Sequence, residues 1–453
     1  MGPEPPGPAG RRRQPRPRGR GRGHPAALPA GDLAAGDRTG RTAHACRRAL
    51  PRQRGDPPGW WSPRRLRLPR SPRRPAGRPL VGPAPPAAAR DHAAADARLV
   101  TRVVISGASG NIGSALVPAL LASGHHPVAL ARRPPREADG AEWVRADLST
   151  PDGQQALTRA LRGADAYVHL AWPLQPMRRP GLLHDRGPRM LLPCVAAALE
   201  AGVGKVVHLS SVAAYAPGSG GERVDETWPL EGAADSPYAR GKVLGERRLD
   251  VLARSRSALD RVAVLRPCLV GQRRAGAQMA RYGLPAVLAA TRAVRHLPWV
   301  PRADGFALQM VHSDDVARAV VASIEQDASG PFNLAGEGTL GGREIARALG
   351  ARPVRLPRGL PRLAAAAAWH THLGPLDPTW VDMAAQAPLM VTGRARSVLG
   401  WRPEHPAVDV LREVVDGMRS GAGGASAALR PAGSDSEARG WTSLGSVARR
   451  SMT

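Results

Sequence analysis

The chain has 453 residues and a formal charge of +28, a length that would suit about three domains at roughly 150 residues each. Its 51 glycines and 46 prolines crowd the two ends and leave less chain for packed cores. The charge points to nucleic acid or an anionic surface, but only two of its 65 basic residues are lysine, which argues for a bias in the coding DNA over a binding function.

Asparagine (two), isoleucine (four), tyrosine (four) and phenylalanine (two) are scarce in the same way. The use made of any one of these rare residues is therefore unusually informative. Residues 1–98 hold 22 arginines against six acids, a local +16, and the remaining 355 residues carry +12. They lack apolar periodicity and are broken by proline and arginine throughout, so they cannot bury enough surface to offset chain entropy. We expect residues 1–99 to be a disordered extension, or upstream sequence ahead of a true start near Val100. The run Arg18-Gly19-Arg20-Gly21-Arg22-Gly23 has the pattern of an RNA-binding tail, yet arginine is common everywhere here. Trp60-Trp61 is a thin stacking platform, and nucleic acid is not expected as a partner.

Cys46, Cys194 and Cys268 are too few and too dispersed for a disulfide framework or a zinc site. No apolar h-region marks a secretory signal. The longest apolar stretch, Leu363 to Trp369, is far short of the ~20 residues that span a bilayer. A cytoplasmic protein with no membrane partner is expected.

Order is predicted to begin at Thr101. Arg102–Ser106 reads as a buried parallel strand, and Gly107-Ala108-Ser109-Gly110-Asn111-Ile112-Gly113 follows. A helical pattern then runs to Gly124, and a second strand spans His126–Ala131. Further strands are predicted at Glu142–Ala146, Ala166–Leu170, Lys205–Leu209 and Arg261–Leu265, with helices between them. This alternation gives an α/β fold, a Rossmann-type doubly wound parallel sheet. Beyond residue 266 helices (278–295, 313–326, 341–350) mix with short strands (308–311, 331–334), as in a smaller, mainly helical cap. From Ser420 the chain is rich in Gly, Ala and Ser and reads as disordered.

A strand, a glycine turn and a helix N-terminus form an anion site, because free backbone N–H groups and the helix dipole favour a pyrophosphate. The spacing Gly107-x-x-Gly110-x-x-Gly113 resembles the extended short-chain dehydrogenase/reductase family, the NAD-dependent epimerase/dehydratase group. An NAD-preferring fold usually carries an acid at the end of the second strand. Here Arg132 and Arg133 stand there and suit a 2′-phosphate, so NADP is preferred over NAD. Asp147-Leu148 resembles the pair that contacts adenine in this family.

Tyr238 and Lys242 lie one turn apart on a helix that Ser236 and Pro237 should start. A phenol near pKa 10 needs help to work at neutral pH, and a neighbouring ammonium supplies it. One of two lysines and one of four tyrosines meet at this point. Upstream, Ser210-Ser211-Val212-Ala213-Ala214-Tyr215 resembles the family segment whose second serine is catalytic, here Ser211. Val168-His169-Leu170-Ala171, Glu226, Leu265-Arg266-Pro267, Val311-His312-Ser313-Asp314-Asp315-Val316, Phe332-Asn333-Leu334 and Leu399-Gly400-Trp401-Arg402-Pro403 extend the resemblance over about residues 101 to 416.

The resemblance implies hydride transfer between a nicotinamide and a secondary alcohol or ketone of a small-molecule substrate. Ser211, Tyr238 and Lys242 would be catalytic; Leu170, Ala171 and Pro267 would join the cofactor site; a homodimer is left open. It divides the chain into a cofactor domain (100–266), a substrate-binding cap with returning strands (267–416) and a disordered tail (417–453). Val212 and Ala213 stand where sugar dehydratases carry Asp-Glu. Pro267-Cys268 replaces the Phe-Asn of nucleotide-sugar epimerases and is closer to the dihydroflavonol and hydroxysteroid reductases. A non-catalytic dinucleotide sensor is the rival reading, and three intact catalytic residues count against it. His370 and His372 lack a clustered third ligand, so no metal is expected. His169, His208 and Cys268 read as core residues, and Pro193 sits inside a helical stretch.

Overall fold

The computed structural model describes Gly2 and residues 101–431, apart from 136–139, 175–178, 180, 219–220, 284–298, 303–305, 358 and 375. The expectations for residues 1–99 and for 432–453 fall outside the described residues, as does most of the helix expected over 278–295.

Seven strands form one parallel sheet: β1 (Arg102–Ser106), β2 (His126–Ala131), β3 (Glu142–Arg145), β4 (Ala166–His169), β5 (Lys205–Leu209), β6 (Val262–Pro267) and β7 (Gly330–Leu334). Their order is β7-β6-β5-β4-β1-β2-β3. The chain thus winds outward from β1 in both directions, the doubly wound arrangement. The register aligns Ser106 with His169 and His169 with His208.

Alternate residues of each strand feed different cores, because side chains alternate across a sheet. Val103 and Ile105 join the layer that holds α1 (Gly113–Ala122) and α5 (Ser313–Glu325). Val104, Val128 and Leu130 pack against α2 (Pro151–Ala160), α3 (Gly181–Glu200) and α4 (Pro237–Ser255) on the other face. α3 carries Pro188 and Pro193 in its interior. Thr150 and Ser236 cap α2 and α4 by accepting backbone N–H bonds, as their residue types favour.

β7 returns to the sheet and pairs in parallel with β6 along Gly330–Leu334, and α5 packs beside α1. The rest is helical with two-stranded ladders, among them 310–312 on 269–271 and 389–390 on 223–224. The two asparagines tie this part to the sheet. Asn333 accepts from the Tyr215 hydroxyl at 2.6 Å and donates to the carbonyls of Val224 and Val391. Asn111 is anchored in the same manner to the 270–272 turn and to α5.

The tail expected to be disordered from 417 is corrected over 417–431. The helix Ala407–Ser420 ends on left-handed Gly421, and the chain then folds back with Leu429 only 1% exposed. Arg281 donates to the carbonyls of Ala428 and Arg430, and Ser426 Oγ donates to Ser109 O at 2.7 Å. The small residues of this stretch permit the tight return, which composition alone cannot distinguish from disorder. Leu429→Ala is expected to cost about 2 kcal/mol, the lower end for a buried leucine, read as a lower thermal midpoint.

Candidate active site

The glycine turn sits between β1 and α1. Gly107 has a left-handed backbone (φ +77°), and a Cβ there would lie 2.7 Å from Ala171 N. Leu170 and Ala171 therefore form one side of the same cradle. A Cβ on Gly113 would meet the Ala108 backbone at 2.4 Å, whereas one on Gly110 would touch only Gly107 O at 3.3 Å. Gly113 is needed for the turn itself, and Gly110 keeps an open face. The amides of Asn111, Ile112 and Gly113 meet no acceptor among the described residues, so three donors at a helix N-terminus are free for a pyrophosphate. These residues fit a dinucleotide. The Asn111 side chain is spent on Val270 O, Gln272 and Ser313, which leaves its amide as its contribution.

Arg132 and Arg133 leave β2 exposed. Asp147 follows β3 and accepts from both the amide and the hydroxyl of Ser149. Burial opposes its charge, yet the Ser149 bonds and the Arg132 field hold the carboxyl below its ordinary value. Arg132 and Asp147 thus share one corner of the cleft. The Leu148 side chain is turned into the core beneath α2, so only its backbone faces that corner. Pro267 ends β6, buried.

Ser211 stands at the end of β5, where its Oγ accepts from Ala213 N at 3.2 Å and caps a short 3-10 turn. Tyr238, half-buried in the first turn of α4, faces the Ser211 side chain. Burial raises the phenol above its ordinary value and the nearby Ser211 hydroxyl lowers it. Lys242 lies one turn on and is 3% exposed. Its Nζ donates to Leu209 O at 2.9 Å and stands 5.9 Å from the Tyr238 ring centre. Burial lowers this ammonium to about 7, with Glu246 pulling the other way. The sequence brings the three residues together as expected, but the lowering of the tyrosine by its lysine neighbour is not found in the protein alone.

Beneath the trio runs a buried ionic layer. Arg266, fully buried, donates to Glu246 Oε2 at 2.6 Å and to the Tyr215 hydroxyl at 2.9 Å, and Ser210 donates to Glu246. Above it, Trp380 stacks on Tyr238 with ring centres 5.0 Å apart. Met383 packs with Tyr238, Ala213, Ala233 and Ala239. A small open pocket is lined by Val212, Ala213, Tyr215, Ala233, Met383 and Pro388. Trp380 and Met383 lie some 140 residues from Tyr238, and no local pattern marks them.

His169 and His208 were expected to be satisfied core histidines, and that is corrected in part. Both are buried, and His169 Nδ1 sits 2.8 Å from the Tyr167 hydroxyl. His169 Nε2 and both ring nitrogens of His208 have no hydrogen-bond partner among the described residues. Burial, with the Lys242 charge second, lowers His169 to about 3 and moves His208 in the same direction, so both rings are neutral. Cys268 is buried, which pushes its thiol up to about 12. Away from the cleft, His312, Asp314 and His405 come within reach of one another. The two rings stack face to face at 4.1 Å and His312 Nδ1 already accepts from Asp314 N. That is the arrangement of a helix cap and a ring stack.

Residues 103–335 match the family model described as the NAD dependent epimerase/dehydratase family. A 3-diazoavenalumate denitrifying reductase from a Streptomyces species is 31% identical over 322 residues, 68% of this chain and 97% of that protein. An uncharacterized protein of Mycobacterium tuberculosis is 29% identical over 321 residues, 70% of this chain. The match spans only 30% of the mycobacterial protein's length. Among solved structures, the UDP-glucose 4-epimerase of Thermus thermophilus, in complex with NAD, shares the fold with a TM-score of 0.52. It is 24% identical and covers 70% of this chain and 99% of its own. Among the described residues no helix is long and apolar enough to cross a membrane.

Proposed function

We propose that this chain, which belongs to the NAD dependent epimerase/dehydratase family, is an NAD(P)-dependent oxidoreductase that interconverts a secondary alcohol and a ketone on a small molecule in the cytoplasm. The observation that carries this reading is the placement of Tyr238 and Lys242 one turn apart on α4, with Lys242 Nζ held on Leu209 O at 2.9 Å beside Ser211 at the end of β5. Gly107, Gly110 and Gly113, the amides of Asn111 to Gly113, and the segment Leu170–Ala171 would hold the dinucleotide. When bound, that group supplies the acceptor or donor of hydride. Tyr238 Oη would pass the proton to or from the substrate oxygen, and Ser211 Oγ would orient that oxygen. Arg132 and Arg133 favour NADP over NAD, because a guanidinium suits a 2′-phosphate.

Reduction of a released carbonyl is favoured over sugar dehydration or epimerisation. Val212 and Ala213 follow Ser211 directly, and neither can act as the extra acid or base of a dehydratase. A screen of ketones and sugar nucleotides with both cofactors, followed by absorbance of the reduced nicotinamide, tests the assignment. Turnover of ketones with net consumption of NADPH is expected; epimerised sugar with no net cofactor change would overturn the reductase reading. Gly110→Val is expected to abolish dinucleotide binding in calorimetric titration with the thermal midpoint nearly unchanged, because its side chain would project into the open face of the cradle. Unchanged affinity for both cofactors would remove the basis of this site.

A further inference from the structure

We propose that Trp172 is a positioning residue of this site, an aromatic clamp whose face holds the Lys242 ammonium in its buried place. The proposal rests on the reading of Lys242 as part of the catalytic set. Lys242 Nζ stands 3.7 Å from the centre of the indole ring. An ammonium has three donors, and Leu209 O is the one hydrogen-bond acceptor it meets among the described residues. The ring face is its second partner, and such a contact strengthens when water is excluded.

The slot for the ring is built into two helices. A Cβ on Gly187, inside α3, would lie 2.3 Å from Trp172 Cζ2. One on Gly245, inside α4, would lie 3.2 Å from Cη2. Glycine weakens a helix interior, and the chain accepts it in both helices at the points where the ring enters. The indole Nε1 has no hydrogen-bond partner among the described residues, so the ring is held by packing and by the cation, not by its own polar group.

The other groups around Lys242 do not replace the ring. Glu246 lies one turn on in α4, but its carboxylate is engaged by Arg266 and Ser210. Tyr238 is on the same helix, with its ring centre 5.9 Å from Nζ and its hydroxyl toward Ser211. His169 from β4 and His208 from β5 are neutral and offer no negative charge. The aromatic face opposes the desolvation of the ammonium at direct contact, alongside the charge of Glu246 one turn on.

The chain's two lysines make a direct test practicable. The full chain carrying 13Cε-lysine should give two signals, and Lys205→Arg assigns them. Lys205 is held by Asp327 at 2.6 Å, far from the indole, and serves as the internal control. The Lys242 Hε protons should be shifted upfield by the ring current in the wild type. In Trp172→Leu that shift should vanish and the Lys242 titration midpoint should fall by about one pH unit, while Lys205 does not move. Trp172→Phe, which keeps a smaller π face, should retain part of both effects and decides the matter if the leucine variant does not fold. An ordinary Hε position in the wild type, or a midpoint unchanged in both variants, would overturn the clamp. Neither readout needs turnover, so loss of the catalytic reading through an active Lys242→Ala would be seen separately.

Discussion

Tyr238→Phe should lower turnover by roughly 10²–10⁴-fold, the usual loss when a general acid–base group is removed, with little change in cofactor affinity. The substitution deletes the hydroxyl that faces Ser211 and keeps the ring that packs on Trp380, so the packing survives while the proton carrier is lost. In the oxidation direction the unprotonated phenol accepts the proton. The wild-type rate should therefore rise with pH through one ionisation, and that ionisation should be missing in the variant. Burial raises the phenol in the protein alone, so its midpoint should be higher without cofactor than with the oxidised, cationic nicotinamide bound. Stopped-flow absorbance of the reduced nicotinamide reads the hydride step. Near-wild-type transfer in Tyr238→Phe would reject the assignment and place the proton transfer on another group.

The largest loss of stability is expected from Glu246→Ala. Arg266 is fully buried and Glu246 is its carboxylate partner. Removing one member of a buried pair leaves an uncompensated charge and costs about 3–5 kcal/mol. At roughly 2–4 °C per kcal/mol for a domain of this size, the thermal midpoint should drop by about 10 °C. The double replacement Glu246→Leu with Arg266→Met should recover part of that loss, because no lone charge is left behind. A midpoint within a degree of the wild type in Glu246→Ala would show that the layer beneath the catalytic residues is not held by this pair.

The strands, the glycine turn and the order Ser211, Tyr238, Lys242 could be read from the chain because each is local. A strand needs a few apolar neighbours, a pyrophosphate turn needs glycines at fixed spacing, and a helical pair needs an interval of four. The scarcity of lysine and asparagine sharpened the reading. Lys242 joins the catalytic set, Lys205 ties the start of β5 to Asp327, and Asn111 and Asn333 knot the C-terminal part to the sheet. The composition could not tell the folded return at 421–431 from a loose tail, because small residues serve both.

The environment of those residues was decided by tertiary structure alone. Trp172 meets Lys242 only because Gly187 and Gly245, from two helices, open a slot of the right width. Trp380 reaches Tyr238 across 142 residues, and Arg266 finds Glu246 from a neighbouring strand. The direction of the tyrosine shift followed the same rule. The sequence put an ammonium one helical turn away, which favours the phenolate, but packing put both groups out of water and turned the ammonium toward Leu209 O and the indole. Burial and orientation depend on what the rest of the chain lays over a residue, and no spacing along the sequence encodes them.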